Sequence, residues 1–307
     1  MNTSLLLPSH SPDGGKFAHG RDKKIYFRVR GKNDPTVVVL NAPGSAQAEW
    51  WPFQNEIARQ FRMITFDRAG YGGSTQPEKE KSLNSFSEGL EMLLKFERIK
   101  RPVLLISDGG AAYFAQHFAL TRPGLVAGVL FINPPPPDLT AWKKAEAENE
   151  EFLTSAAMAE KRLHLASKGF YRLFSPLPGY KLDIRFRKAI ALYYCKEKNY
   201  LTALEEFRLQ ESFSKGASLE KPLPAVPVRI LFSPMEKRIR EWNRQGIPEY
   251  TARQMARLYE ELAKRYQFIY SADALLEVSG SMLKMHLSQP HRLLDEIAHM
   301  VKSIHMQ

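Results

Sequence analysis

Pro102-Val103-Leu104-Leu105-Ile106-Ser107-Asp108-Gly109-Gly110-Ala111-Ala112 is the stretch whose reading decides the fold. Four apolar residues, two of them β-branched, stand between a proline and a Ser-Asp-Gly-Gly cluster, the pattern of a short strand buried on both faces of a parallel sheet. The spacing predicts strand over 102–106, a turn over 107–110 and a helix over 111–121. A Ser at such a junction, with Gly two residues later and small residues opening the helix, can stand on a tight turn with strained backbone angles while strand and helix approach closely. The plainer alternative is an ordinary turn with Ser107 as helix N-cap. The turn alone leaves both open.

The same grammar extends outward. Lys24–Gly31 alternates and ends on Gly, a first strand, and Thr36–Leu40 is a second, continuous β-branched run. Phe61–Phe66 is the next strand, with helices predicted over about 50–60 and 82–96, and Val126–Asn133 follows the helix 111–121. Strand and helix alternating at this spacing predict parallel βαβ units. The alternation stops at the tetraproline 134–137. Residues 138–221 read as helices only, strand character returns at Val226–Phe232, and a helix over 250–266, a short strand at 275–278 and a last helix over 290–304 close the chain. The expected organisation is an α/β core of residues 16–137 and 222–307, a helical insert of 138–221, and a flexible N-terminus of 1–15.

Composition bounds the rest. With 307 residues, 44% apolar and 25% charged, the chain can build a sizeable core and resembles no fibrous or disordered composition. A single cysteine, Cys195, excludes an internal disulfide and fits a reducing compartment. Leu5-Leu6-Leu7 is too short for a signal-peptide core and no apolar stretch reaches membrane-span length, so a cytoplasmic location and no membrane partner are expected. The net charge of +11 is read as a solvated basic surface, because no basic block or nucleic-acid motif accompanies it. No nucleic-acid partner, metal or cofactor is expected: no His or Cys pair has metal-ligand spacing, and Gly70-Tyr71-Gly72-Gly73 lacks the Lys and Ser/Thr of a phosphate loop. The expected partner is a small molecule. The oligomeric state is not legible.

In these residues the chain resembles the α/β-hydrolase superfamily from about residue 16 onward. The resemblance rests on Ala42-Pro43-Gly44-Ser45, on Asp67-Arg68-Ala69-Gly70-Tyr71-Gly72-Gly73-Ser74, on Ser107-Asp108-Gly109-Gly110, on the helical insert in the usual cap position, and on Gln289-Pro290 before the last helix. It implies an α/β fold, a mostly parallel central sheet flanked by helices, with the helical cap inserted before the last strands. Carried over, it implies Ser107 as nucleophile, with the backbone N–H groups of Ala42 and Asp108 holding an oxyanion. It implies Glu236 as the acid, with Asp138 as a fallback, and His286 as base for want of a better one. Asn41 and Leu283 are expected to line the substrate pocket. Trp142, Phe152, Phe170, Tyr171, Phe174, Tyr193 and Tyr194 of the cap are read as mostly core, some facing an apolar pocket.

This sequence departs from the family pattern where chemistry is concentrated. Leu40-Asn41 replace the usual His-Gly, Leu105 stands where Gly usually precedes the nucleophile by two residues, and Leu283 occupies the expected position of the base. His117, His164, His291 and His299 have no spacing that recommends them. Two expectations therefore stand together. One is a serine hydrolase acting on a small, largely apolar ester, thioester or amide. The other is a member lacking a complete triad, serving as a lyase, cyclase, isomerase or ligand-binding protein.

Overall fold

The computed structural model describes residues 14–20, 23–76, 81–177, 180–213, 219–223, 226–281 and 283–305. Eight strands form one sheet: β1 (Gly15–His19), β2 (Lys24–Arg30), β3 (Val37–Leu40), β4 (Met63–Phe66), β5 (Val103–Asp108), β6 (Val126–Ile132), β7 (Val228–Phe232) and β8 (Leu275–Glu277). Their spatial order is β1-β2-β4-β3-β5-β6-β7-β8. The pairs β1–β2 and β2–β4 are antiparallel and every later pair is parallel. Chain order reverses between β3 and β5, a switch point where the loops leaving neighbouring strands diverge and open a crevice.

Two helix layers cover the sheet. Val38, Leu40, Val103, Leu105, Val129 and Phe131 face α2 (Leu83–Phe96), α3 (Ala112–Thr121) and α10 (Glu249–Ala263). Val37, Val39, Leu104, Ile106, Leu130 and Leu231 face α1 (Trp51–Ile57), α12 (Met285–Ser288) and α13 (Pro290–His305). These runs are apolar at consecutive positions because both faces are covered. Between β6 and β7 the described residues form five helices, α4 (Leu139–Glu148), α5 (Ser155–Ser167), α6 (Phe170–Leu173), α7 (Ile184–Tyr194) and α8 (Glu197–Phe213). Within the segment read from the sequence as helices only, Thr154 caps α5 after α4 has ended, and Cys195 and Lys196 separate α7 from α8. α9 (Met235–Arg244) and the short α11 (Tyr266–Ile269) complete the helices named here. The stretch expected to be a flexible N-terminus lies outside the described residues except at 14–15, and β1 begins at Gly15.

Of the insert's aromatics, Trp142 and Phe152 pack edge-on with Tyr259 and Trp242 in the main core. Tyr171, Tyr193 and Tyr194 are buried with Ala46, Trp51 and Tyr71, while Phe170 and Phe174 stay on the surface.

Candidate functional site

The strand β5 runs two residues further than its apolar run suggests, through Ser107 and Asp108. Asp108 has extended angles (φ −106°, ψ 125°), and the left-handed residue of the turn is Gly109 (φ +55°). The strained apex that a presented nucleophile needs is therefore occupied by glycine. A Cβ built on Gly109 would come no closer than 3.6 Å to any neighbour, the nearest being Ala42 Cβ. The apex thus looks across an ordinary contact gap at the loop after β3.

Ser107 is fully buried inside the strand, and its Oγ has no hydrogen-bond partner among the described residues. Side chains alternate across a strand. Ser107 consequently shares the face of Val103 and Leu105, towards α3, and Asp108 shares the face of Leu104 and Ile106. His286 is on the Asp108 side. It stacks on Trp50 at 3.9 Å between ring centroids and 15° between planes, in the layer that holds Ile106. Neither of its nitrogens has a hydrogen-bond partner among the described residues. Burial, reinforced by the Lys284 charge, pushes the imidazole well below its ordinary value, so it is neutral packing. The sheet separates Ser107 from His286, and no hydrogen bond joins them.

The other expected residues are dispersed as well. Glu236 sits in the first turn of α9, more than half exposed, with Oε1 accepting from Arg253 Nη1 at 2.9 Å. Asp138 caps α4, accepting from Ala141 N–H, and pairs with Arg265 at 2.6 Å. Asn41 donates to the Phe66 carbonyl at 3.4 Å, and its own carbonyl accepts from Arg68 Nη1 at 2.5 Å. Leu283 is half-buried, and its carbonyl accepts from Asn133 Nδ2 at 3.2 Å. His117 meets Asn84, His291 meets Glu56 on the surface, and His164 and His299 are exposed. Among the described residues no cluster could hold a metal ion.

The strand ends instead gather a charge cluster. Glu49, on the turn before α1, is fully buried and lies 2.5 Å from Lys284 Nζ. Its other oxygen accepts from Tyr194 OH at 2.6 Å and from Ala46 N–H at 3.0 Å. Lys284 also donates to Ser45 Oγ at 3.2 Å. Asp108 is close enough to feel both charges. Burial raises its carboxyl from 3.8 to about 7, with Lys284 pulling it down and Glu49 pushing it up. Burial works to lower the Lys284 ammonium, but Glu49 and Asp108 outweigh it and the net shift is upward. Sequence reading missed Glu49 and Lys284, which lie 235 positions apart, because nothing local marks a Glu and a Lys as partners.

A second network fastens α8 to the core. Arg68, after β4, makes a two-point contact with Glu206, Nε to Oε1 at 2.9 Å and Nη2 to Oε2 at 2.6 Å. Tyr71 OH donates to Glu206 Oε2 at 2.7 Å and accepts from Gly44 N–H at 3.2 Å. Asn199 Oδ1 accepts from Gly72 N–H at 2.9 Å, and Gln210 donates to the Gly110 carbonyl at 3.2 Å. Asn199, Thr202, Glu206 and Gln210 recur at helical spacing and are all buried, so the inward face of α8 is polar. It meets the core where glycines allow it: a Cβ on Gly70 would lie 2.7 Å from Thr202 Oγ1, and one on Gly110 would lie 2.7 Å from Gln210 Nε2. Beside this network a cavity of about 50 Å³ is lined by Phe66, Arg68, Phe86, Leu90, Phe114 and Leu209. Asn133 (φ +45°) ties two further loops and α9, bonding Ser233, the Leu283 carbonyl and Arg238.

No family model matches the chain. Over 160 residues it is 25% identical to the protein YqjL of Bacillus subtilis (strain 168), covering 52% of this chain and 60% of that one. Over 115 residues it is 24% identical to a non-heme chloroperoxidase of Streptomyces lividans, covering 37% and 42%. The chain thus spans less than two thirds of either relative. Among solved structures, a haloalkane dehalogenase variant (DbeA-M1 loop variant) from Bradyrhizobium elkanii superposes with a TM-score of 0.66 at 16% identity, covering 95% of this chain and 97% of that one. A serine hydrolase involved in carbazole degradation superposes with a TM-score of 0.62 at 13% identity, covering 94% and 98%.

Proposed function

Since this chain has the α/β-hydrolase fold, we propose that it is a non-hydrolytic enzyme of that fold, acting on a small molecule by proton transfer rather than through a serine nucleophile. The observation that carries the reading is the left-handed Gly109 at the apex of the β5–α3 turn. A glycine there offers no nucleophilic atom, and a serine hydroxyl buried without a base stays protonated and unreactive at neutral pH. In this reading the five helices between β6 and β7 are the cap, fixed over the strand ends by Arg68 and Glu206.

What remains suited to chemistry is Asp108. A carboxyl raised to about 7 exchanges its proton near neutrality, where a general acid or base works best. The Lys284 ammonium beside it stabilises negative charge on a substrate as the proton leaves, and Glu49 with Tyr194 holds that ammonium in place. Isomerisation or elimination next to a carbonyl needs no more than this. An acyl-enzyme has no part in the reaction.

The test is reaction of the folded protein with a fluorophosphonate, read by intact mass and peptide mapping. No adduct is expected. Labelling at Ser107 that disappears in Ser107→Ala sinks the proposal and restores the serine-hydrolase reading.

A further inference from the structure

The excess positive charge of this protein is concentrated. Residues 155–198 hold ten Lys or Arg against three Asp or Glu, which is +7 of the chain's +11. The same segment carries the most exposed apolar side chains of the insert: Leu173 at 83%, Leu192 at 66%, and Phe174 and Ile184 each at 55%. The two features share one surface. α6 and α7 pack on each other and turn their inner residues, Tyr171, Ile190, Tyr193 and Tyr194, into a single buried cluster. Their outer faces therefore look the same way.

On α7 the outer stripe is Ile184, Lys188 and Leu192, spaced one turn apart, with Arg185 and Arg187 on its flanks. At the end of α6, Leu173 stands almost free and Phe174 stacks on Phe170 with centroids 4.4 Å apart. Lys168 and Arg172 precede them in the chain and Lys181 follows, all exposed. Most of these cations are uncommitted: of those named, only Arg185 has a described ionic partner, the N-cap Asp183.

We propose that this outer face of α6 and α7 is a docking surface for an anionic lipid bilayer, which the protein meets peripherally. Long cationic side chains around protruding leucine and phenylalanine are the arrangement that adsorbs to acidic headgroups and dips apolar tips into the acyl boundary. Charge complementarity selects this occupant. A second copy docking through the same face would bring two basic surfaces together, which like-charge repulsion opposes. A nucleic acid would take the cations but has no use for exposed leucines. No helix among the described residues is long and apolar enough to cross a membrane, so contact is confined to the surface. The proposal stands independently of the chemistry at Asp108.

Co-sedimentation with vesicles of phosphatidylcholine alone, and with phosphatidylglycerol added, tests it. Binding is expected only to the anionic vesicles, and added salt should weaken it. Arg187→Glu with Lys188→Glu should weaken binding by about tenfold or more, because each cation near an acidic surface contributes separately. Leu173→Ser with Leu192→Ser should leave salt-sensitive adsorption but lower the bound fraction, with the circular dichroism of both variants unchanged. The proposal is overturned if neutral and anionic vesicles are bound equally or not at all. It is overturned too if the charge reversals change nothing. Equal binding of a DNA duplex that the leucine changes leave untouched would show a general polyanion surface instead.

Discussion

A carboxyl raised to about 7 by burial changes the pH response of the whole protein. The folded chain holds the Asp108 proton more tightly than the unfolded chain, where the ordinary value is 3.8. Between those values the native state binds the extra proton, so its stability falls as pH rises and stays lower above about 7. Asp108→Asn removes the titration. Its unfolding free energy should be flatter across that window, and at mildly alkaline pH it should exceed the parent's by about 2–4 kcal/mol, since each tenfold change in proton affinity is worth about 1.4 kcal/mol. A variant with an unchanged slope would show that Asp108 does not titrate there. At this scale sequence pattern misleads most easily. Ser107-Asp108-Gly109-Gly110 reads as a serine turn, but a strand two residues longer moves the apex to Gly109 and sends Ser107 and Asp108 to opposite faces. A one-residue change of parity reassigns every side chain.

Elements carry the next lesson. The strands were legible because their apolar runs are continuous, and β3 to β8 fall within two residues of expectation at most ends. The docking of α8 was not. Asn199, Thr202, Glu206 and Gln210 look in sequence like the wet side of a helix, whereas they are its buried side. Asn199 and Gln210 bond backbone groups of glycine-bearing loops, and Glu206 meets Tyr71 and an arginine more than a hundred residues away. Glu206→Ala leaves the Arg68 guanidinium buried without its counter-charge and should cost about 3–5 kcal/mol in urea denaturation. The paired change Arg68→Met with Glu206→Leu should recover most of that loss, since replacing both ions avoids the orphaned charge. Equal losses in the single and paired variants would remove the ion pair as the cause.

Across the whole molecule, the strand ends hold a buried charge cluster rather than the triad expected from the sequence. Asp108, Glu49 and Lys284 come from segments far apart in the chain, and the fold alone places them together. Gly109→Ser fits the available 3.6 Å to Ala42, at a cost of about 1–3 kcal/mol for a non-glycine residue in left-handed conformation. Fluorophosphonate labelling at position 109 should remain absent in Gly109→Ser and appear only when Leu283→His supplies a base. Labelling of the single variant would mean that another base is already in reach. The distribution of charge was equally hidden in composition: a total of +11 says nothing of where it resides, and residues 155–198 alone carry +7.

The polar seam beneath α8 also has a consequence in time. An apolar lid can slide on its seat at little cost, but lifting α8 would strip Arg68 and Glu206 of each other before water could reach either fully. Such an opening is a rare event, and its frequency is written into two backbone protons. The Gly72 N–H is held by Asn199 on α8 itself, and the Gly44 N–H by Tyr71, which Glu206 anchors. Both should exchange with deuterium slowly and together, at the pace at which the helix departs, and both should quicken when Glu206 is removed. A molecule entering beneath α8 would wait on that clock, whereas one entering beside the partly exposed Lys284 would not.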